Sequence, residues 1–250
     1  MKLDMSEKKK EWFDEWFNTI YYHILYKHRD DNEAVLFINN LIDYFRIRKN
    51  DKILDLACGK GRHSIYLNQK GFDVEGIDLS EQNIKHASQY ENNRLKFEVK
   101  DMRDIYKPNT FNYIFNLFTS FGYFDSKEAN LIVIDAAMTS LKKDGILLID
   151  FLNPYVVINN LVESESKTIE NIAFNISRSF TENEFILKEI EVNDHSQQFK
   201  FYEKVKAIRR QDFLNYFDKN GITVLDTFGD YNLNEYVMEE SQRLIFVVKK

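Results

Sequence analysis

The chain has 250 residues, 44% of them hydrophobic and 15% aromatic, with 21 Phe and 14 Tyr. That apolar content excludes intrinsic disorder and is enough for one large or two small domains. One Cys excludes a disulfide framework, 8 Gly and 2 Pro exclude low-complexity classes, and a net charge of −6 does not suit a dedicated nucleic-acid binder.

No apolar run approaches the roughly 20 residues of a membrane span. The opening residues lack the apolar core of a signal peptide, so a cytoplasmic location is expected, with no membrane or nucleic-acid partner. Residues 6–27 predict an amphipathic helix, because Trp12, Phe13, Trp16, Phe17, Ile20 and Ile24 recur at three- and four-residue spacing. Lys8, Lys9 and Lys10 form its solvated first turn. A second helix over 33–47 follows, and residues 1–48 together predict a helical lid.

From Asp51 short apolar runs alternate with helical stretches. Strands are expected at 53–57, 74–77, 95–100, 111–116 and 146–152, with helices at 62–70, 81–90 and 126–142. Such alternation predicts an α/β fold, a doubly wound parallel sheet covered on both faces. Three β-leaning runs between 172 and 208 predict an antiparallel β insertion, followed by a helix at 209–219 and strands at 222–228 and 243–249. The core domain is expected to span 49–250 with the insertion inside it.

The informative segment is Asp55-Leu56-Ala57-Cys58-Gly59-Lys60-Gly61-Arg62-His63-Ser64. A strand delivers a carboxylate, and a two-glycine turn then enters a helix, at the position where open α/β sheets bind ligands. A dinucleotide fingerprint would place glycine where Ser64 stands, and Asp55 would repel a pyrophosphate but suit a cationic ligand. Asp78, 23 residues beyond Asp55, ends the next strand, where it can accept the two hydroxyls of a ribose or cap the following helix. The ribose reading alone still permits a nicotinamide cofactor. Asp101 and Met102 end the third strand, where they can meet an adenine amino group and ring, and Asn116 ends the fourth, over the pocket.

Together these segments resemble the class I, Rossmann-like S-adenosylmethionine-dependent methyltransferases over about residues 50–152. LDLACGKGRHS is similar to that family's first motif, GIDLS to its ribose-binding acid and VKDMRD to its adenine motif. The resemblance implies a seven-stranded, mostly parallel sheet whose last strand runs antiparallel. It also implies S-adenosylmethionine as cofactor: Asp55, Ala57, Cys58, Gly59 and Gly61 at the methionine moiety, Asp78 and Leu79 at the ribose, Asp101 and Met102 at the adenine, and Asn116 near the sulfonium. Asn116-Leu117-Phe118-Thr119 departs from the Pro-Pro-aromatic pattern of the family's aminopurine and amide methylators.

The acceptor is not encoded so plainly. Tyr22 and Tyr26 share a helix face with Arg29 one turn on, either as lid residues meeting the ligand or as packing. His63 and Tyr26 are the candidate acid–base groups, with core packing the alternative for His63. Cys58 reads as a small space-filling side chain rather than a nucleophile. The histidines show no metal-ligand spacing, so no metal is expected. The run Phe118–Phe124 and the insertion predict an apolar wall for a small organic acceptor, while the insertion equally suits a homodimer surface. Three readings stay open: a small-molecule methyltransferase, a cofactor-binding regulatory protein without transfer, and a nicotinamide-dependent reductase.

Overall fold

The structure is a computed structural model that describes residues 11–27 and 31–250; Arg29 and Lys8–Lys10 lie outside the described residues. In chain order the elements are α1 (Trp12–Trp16), α2 (Ile20–Leu25), α3 (Asp31–Phe45), β1 (Lys52–Leu56), α4 (Arg62–Gln69), β2 (Asp73–Asp78), α5 (Glu81–Ala87), β3 (Leu95–Val99), β4 (Phe111–Asn116) and α6 (Lys127–Ser140). They continue as β5 (Leu141–Leu152), α7 (Pro154–Asn159), β6 (Ser164–Ile169), β7 (Ile172–Phe180), β8 (Phe185–Asp194), β9 (Gln197–Lys206), α8 (Arg210–Lys219), β10 (Thr223–Phe228) and β11 (Arg243–Lys249).

Seven strands form one sheet in the order β10-β11-β5-β4-β1-β2-β3. Pairing is parallel from β5 to β3, and β11 runs antiparallel to both of its neighbours. Side chains alternate across a strand, so Leu54, Ile114 and Phe246 face a cluster with Val133, Ile134, Phe213 and Phe217. Ile53, Phe115 and Val247 turn the other way, onto Phe37, Ile38, Leu41 and Leu67. Both faces are therefore dry. Each such side chain stabilises the fold by about 1.5–3 kcal/mol relative to an exposed one.

The strand order reverses between β1 and β4, which opens a crevice beyond their carboxyl ends. The second sheet, β6-β7-β8-β9, is wholly antiparallel. Its apolar face, with Phe174, Ile176, Ile190 and Val192, packs on Trp16, Ile24 and Leu25 of the N-terminal helices.

Two expectations are corrected. The insertion has four strands and begins at Ser164, not near 172. The described part of the 6–27 helix is two short helices. Thr19 breaks the run: it is extended (φ −85°, ψ 151°), its hydroxyl accepts from the Tyr22 N–H at 3.1 Å, and it donates to the Trp16 carbonyl at 2.9 Å. A side chain bonded both ways ends one helix and caps the next.

Candidate active site

The loop between β1 and α4 is built on left-handed backbone at Ala57, Gly59 and Gly61, with φ of 62°, 56° and 82°. The two glycines do different work. A Cβ at Gly59 would meet no atom within 4 Å, so the loop presents bare backbone to open space, whereas at Gly61 it would lie 2.7 Å from the Phe97 ring. Gly61 starts α4 tightly against β3 and does not line the cavity.

Each acid named from the sequence has a defined environment. Asp55 is buried and accepts the Ser64 hydroxyl at 2.6 Å. Burial raises its pKa to about 6, and the nearby Asp78 adds to the rise. Asp78 accepts the Gly59 and Ser80 N–H groups, each at 2.9 Å, one on each carboxylate oxygen. Burial raises its pKa too, while those amides pull it down. Asp101 is held by the Arg103 guanidinium at 2.6 Å. Asn116 ends β4. It is buried, its amide donates to the Leu56 and Ser120 carbonyls at 3.0 and 3.1 Å, and it does not line the cavity. Its side chain staples the loop after β4 to the end of β1.

A cavity of about 380 Å³ lies over these strand ends, within the range of small-molecule sites. Ala57, Cys58, Gly59, Asp78 and Leu79 line one wall, with Asp101 and Met102 beside them. Phe13, Phe17, Tyr22, His23 and Tyr26 form the roof, and Leu117, Phe118, Ser120, Tyr123 and Phe124 the opposite wall. The Ser80 hydroxyl meets Asn18 Oδ1 at 2.5 Å, tying the roof to the helix cap beside Asp78.

The acid–base candidates are placed otherwise than as free bases. The Tyr26 hydroxyl donates to both Glu203 oxygens, at 2.6 and 2.8 Å, and accepts from Lys188. Trp16 Nε1 donates to the same Glu203 at 2.8 Å, so this cluster latches α1 and α2 to β9. His63 is buried against the Phe118 ring at 4.9 Å, and burial lowers its pKa to about 3. It is neutral near pH 7. Cys58 is a buried free thiol whose pKa burial pushes well up, which makes it inert. No group of three or more candidate metal ligands occurs among the described residues.

Sequence reasoning missed the turn after β4. Phe118 and Thr119 both adopt left-handed backbone, φ 56° and 61°, which for such side chains costs about 1–2 kcal/mol per residue. The Phe118 N–H donates to Asp150 Oδ2 at 2.7 Å and the Thr119 N–H to the Asp150 carbonyl at 3.0 Å. Arg243 Nε donates to Asp150 Oδ1 at 2.7 Å and its Nη2 to Thr119 Oγ1 at 2.8 Å, while the Tyr231 hydroxyl reaches Asp150 at 3.1 Å. The one sequence signal was an acid inside the apolar run 146–152.

Switch-point crevice, glycine loop and strand-end acids come together in one Rossmann-like candidate site. Residues 53–145 match the methyltransferase-domain family. A Bacillus subtilis protein named as a methyltransferase, YqeM, is 38% identical over 102 residues, which span 40% of this chain and 41% of that protein, so the match covers less than half of either. An S-adenosylmethionine-dependent methyltransferase from Clostridium acetobutylicum superposes with a TM-score of 0.77 at 19% identity, over 92% of this chain and 96% of its own. The sugar N-methyltransferase KedS8 from a Streptoalloteichus species gives 0.73 at 17% identity, over 98% of both chains. Residues 53–145 therefore carry a methyltransferase domain, and the chain as a whole shares the fold of S-adenosylmethionine-dependent methyltransferases.

Proposed function

We propose that this protein transfers a methyl group from S-adenosylmethionine to a small organic acceptor held under the α1–α2 roof. The observation that carries the reading is Asp78, whose carboxylate is fixed at the end of β2 by the amides of Gly59 and Ser80. Each oxygen accepts one amide and the Asn83 side chain adds a further bond, which leaves acceptor capacity for a ribose diol.

The residues present fit the cofactor. Gly59 leaves open space where a side chain would intrude, and buried Asp55 supplies negative charge suited to a sulfonium. In this reading Ala57, Cys58 and Gly59 carry the methionine moiety, Leu79 flanks the ribose, Asp101 and Met102 hold the adenine, and Tyr22 closes the roof. Asp55 lines the cavity beneath the loop, and Gly61 acts from behind it. When bound, the cofactor supplies an electrophilic methyl group. The protein's part is to orient the acceptor in line with it and to exclude water.

Tyr26 is engaged by Glu203 and Lys188, and burial lowers the pKa of His63 to about 3 and that of the roof's His23 to about 4. That favours an acceptor nucleophilic without help, with Phe13, Phe17, Tyr123 and Phe124 contributing apolar walls. The sugar N-methyltransferase neighbour and the Streptomyces venezuelae dTDP-amino-sugar dimethyltransferase, 26% identical over 117 residues, support a small-molecule acceptor. We further read residues 1–48 as a lid, β6 as an edge open to a second copy, and the buried thiol as suited to the reducing cytoplasm.

The test is transfer of labelled methyl from S-adenosylmethionine to a panel of small molecules, proteins and RNA. Labelled small molecules support the proposal. Labelling of macromolecules alone, or none at all with cofactor bound, overturns it.

A further inference from the structure

Phe118 and Thr119 are consecutive non-glycine residues with positive φ in the turn that borders the cavity. Leu117, Phe118 and Ser120 line the cavity, whereas Thr119 does not; its hydroxyl accepts from Arg243 at 2.8 Å. A bulky and a β-branched residue persist there only where surroundings over-determine the backbone. The surroundings are specific. Both amides bond Asp150, one to its side chain and one to its carbonyl. Asp150 is fully buried and paired with Arg243 at 2.6 Å. The Phe118 ring lies between Tyr231 at 5.1 Å and His63 at 4.9 Å.

β5 and β11 therefore meet across 93 residues of sequence at one turn of the cavity. A packing role alone does not explain this choice, because buried ion pairs are often matched or exceeded in stability by apolar replacements. We propose that Asp150, Arg243 and Tyr231 form a positioning unit that holds the Phe118–Thr119 turn in its left-handed conformation, so that the Phe118 wall stands ready opposite the glycine loop. The unit acts through the turn and does not touch ligand. Without it the turn relaxes, and the wall must be reordered each time a ligand binds.

The inference rests on the cofactor reading only for its binding readout. Three variants separate the possibilities. Thr119→Val removes the acceptor for Arg243 at nearly constant shape, Thr119→Ser keeps it, and Thr119→Gly removes both the acceptor and the backbone strain at residue 119. The probes are S-adenosylhomocysteine affinity by calorimetry, the melting temperature, and the ligand-free NMR signals of the His63 ring, which the Phe118 ring current shifts.

Thr119→Ser should match wild type in all three. Thr119→Val should move the His63 signals and weaken S-adenosylhomocysteine by about tenfold, the size of one lost charge-assisted hydrogen bond. Thr119→Gly should melt no lower than wild type and still bind more weakly, because a strained turn that positions a wall gives up stability for order. Wild-type His63 signals in Thr119→Val would overturn the positioning unit, whether or not the ligand binds. Melting temperature and affinity falling together in Thr119→Gly would overturn it as well, and reduce the turn to a structural element. Failure of the wild type to bind S-adenosylhomocysteine would contradict the cofactor reading instead, and the His63 signals would then decide the inference alone.

Discussion

The Ser64 hydroxyl donates to the Asp55 carboxylate at 2.6 Å, and both residues are buried beneath the glycine loop. Asp55 holds its proton up to about pH 6 in the fold, against roughly 3.9 in an unfolded chain. Between those values the folded state binds the extra proton. Stability is therefore full at the acid end and is lost as pH rises through about 6, by about 3 kcal/mol in all. Asp55→Asn removes that slope. Urea unfolding at pH 4.5 and 7 should show the variant gaining on wild type as pH rises, and equal slopes would contradict the assignment.

The same ionisation bears on the ligand. A cationic sulfonium favours the carboxylate form of Asp55, so S-adenosylmethionine should bind more tightly as pH rises through about 6. S-adenosylhomocysteine, a neutral thioether, should lack that rise. Calorimetry from pH 5 to 7.5 compares the two, and parallel pH profiles would place Asp55 out of reach of the sulfonium.

His63 has a pKa lowered to about 3 by burial. A depressed histidine contributes stability that is present above its unfolded pKa near 6.5 and lost as pH falls toward the folded value. Its ring signals should stay flat by NMR from pH 5 to 8. Titration near 6.5 would return His63 to the acid–base candidates.

Tyr26→Phe removes the hydroxyl that bonds Glu203 and Lys188. The expected loss is about 1.5 kcal/mol of stability, with faster hydrogen exchange in α2 and S-adenosylhomocysteine affinity held within about twofold of wild type. A large affinity loss at unchanged stability would show the hydroxyl serving the ligand rather than the latch.

The two loop glycines should separate stability from binding. Gly61→Ala forces a Cβ to 2.7 Å from Phe97 and should destabilise by more than the roughly 1–2 kcal/mol of left-handed backbone strain alone. Gly59→Ala meets open space, so it should carry only the strain while weakening S-adenosylhomocysteine. Denaturation and calorimetry on both variants decide it.

The central sheet was legible because its strands carry local signals: apolar runs, a glycine turn and an acid at each strand end. Phe111–Asn116 and Ile172–Phe180 fall where the pattern put them. β6 escaped because Ser-Glu-Ser-Lys-Thr-Ile is an exposed edge strand with almost nothing apolar to mark it. The helix break at Thr19 was hidden by an apolar stripe that continues across it. Asn116 ends its strand as the pattern implies, and its amide donates to two carbonyls that the sequence could not name. The Asp150–Arg243 pair lay beyond reach, since only the fold joins β5 to β11.

The most direct measurement is calorimetric binding of S-adenosylhomocysteine, S-adenosylmethionine and NADH to wild type and Asp78→Ala, with melting curves to confirm that the variant folds. The account predicts that wild type binds both adenosyl ligands and not NADH, and that Asp78→Ala binds them at least roughly tenfold more weakly, as expected for lost charge-assisted hydrogen bonds. Equal affinity in a folded Asp78→Ala protein, or binding of NADH in place of the adenosyl ligands, would contradict it.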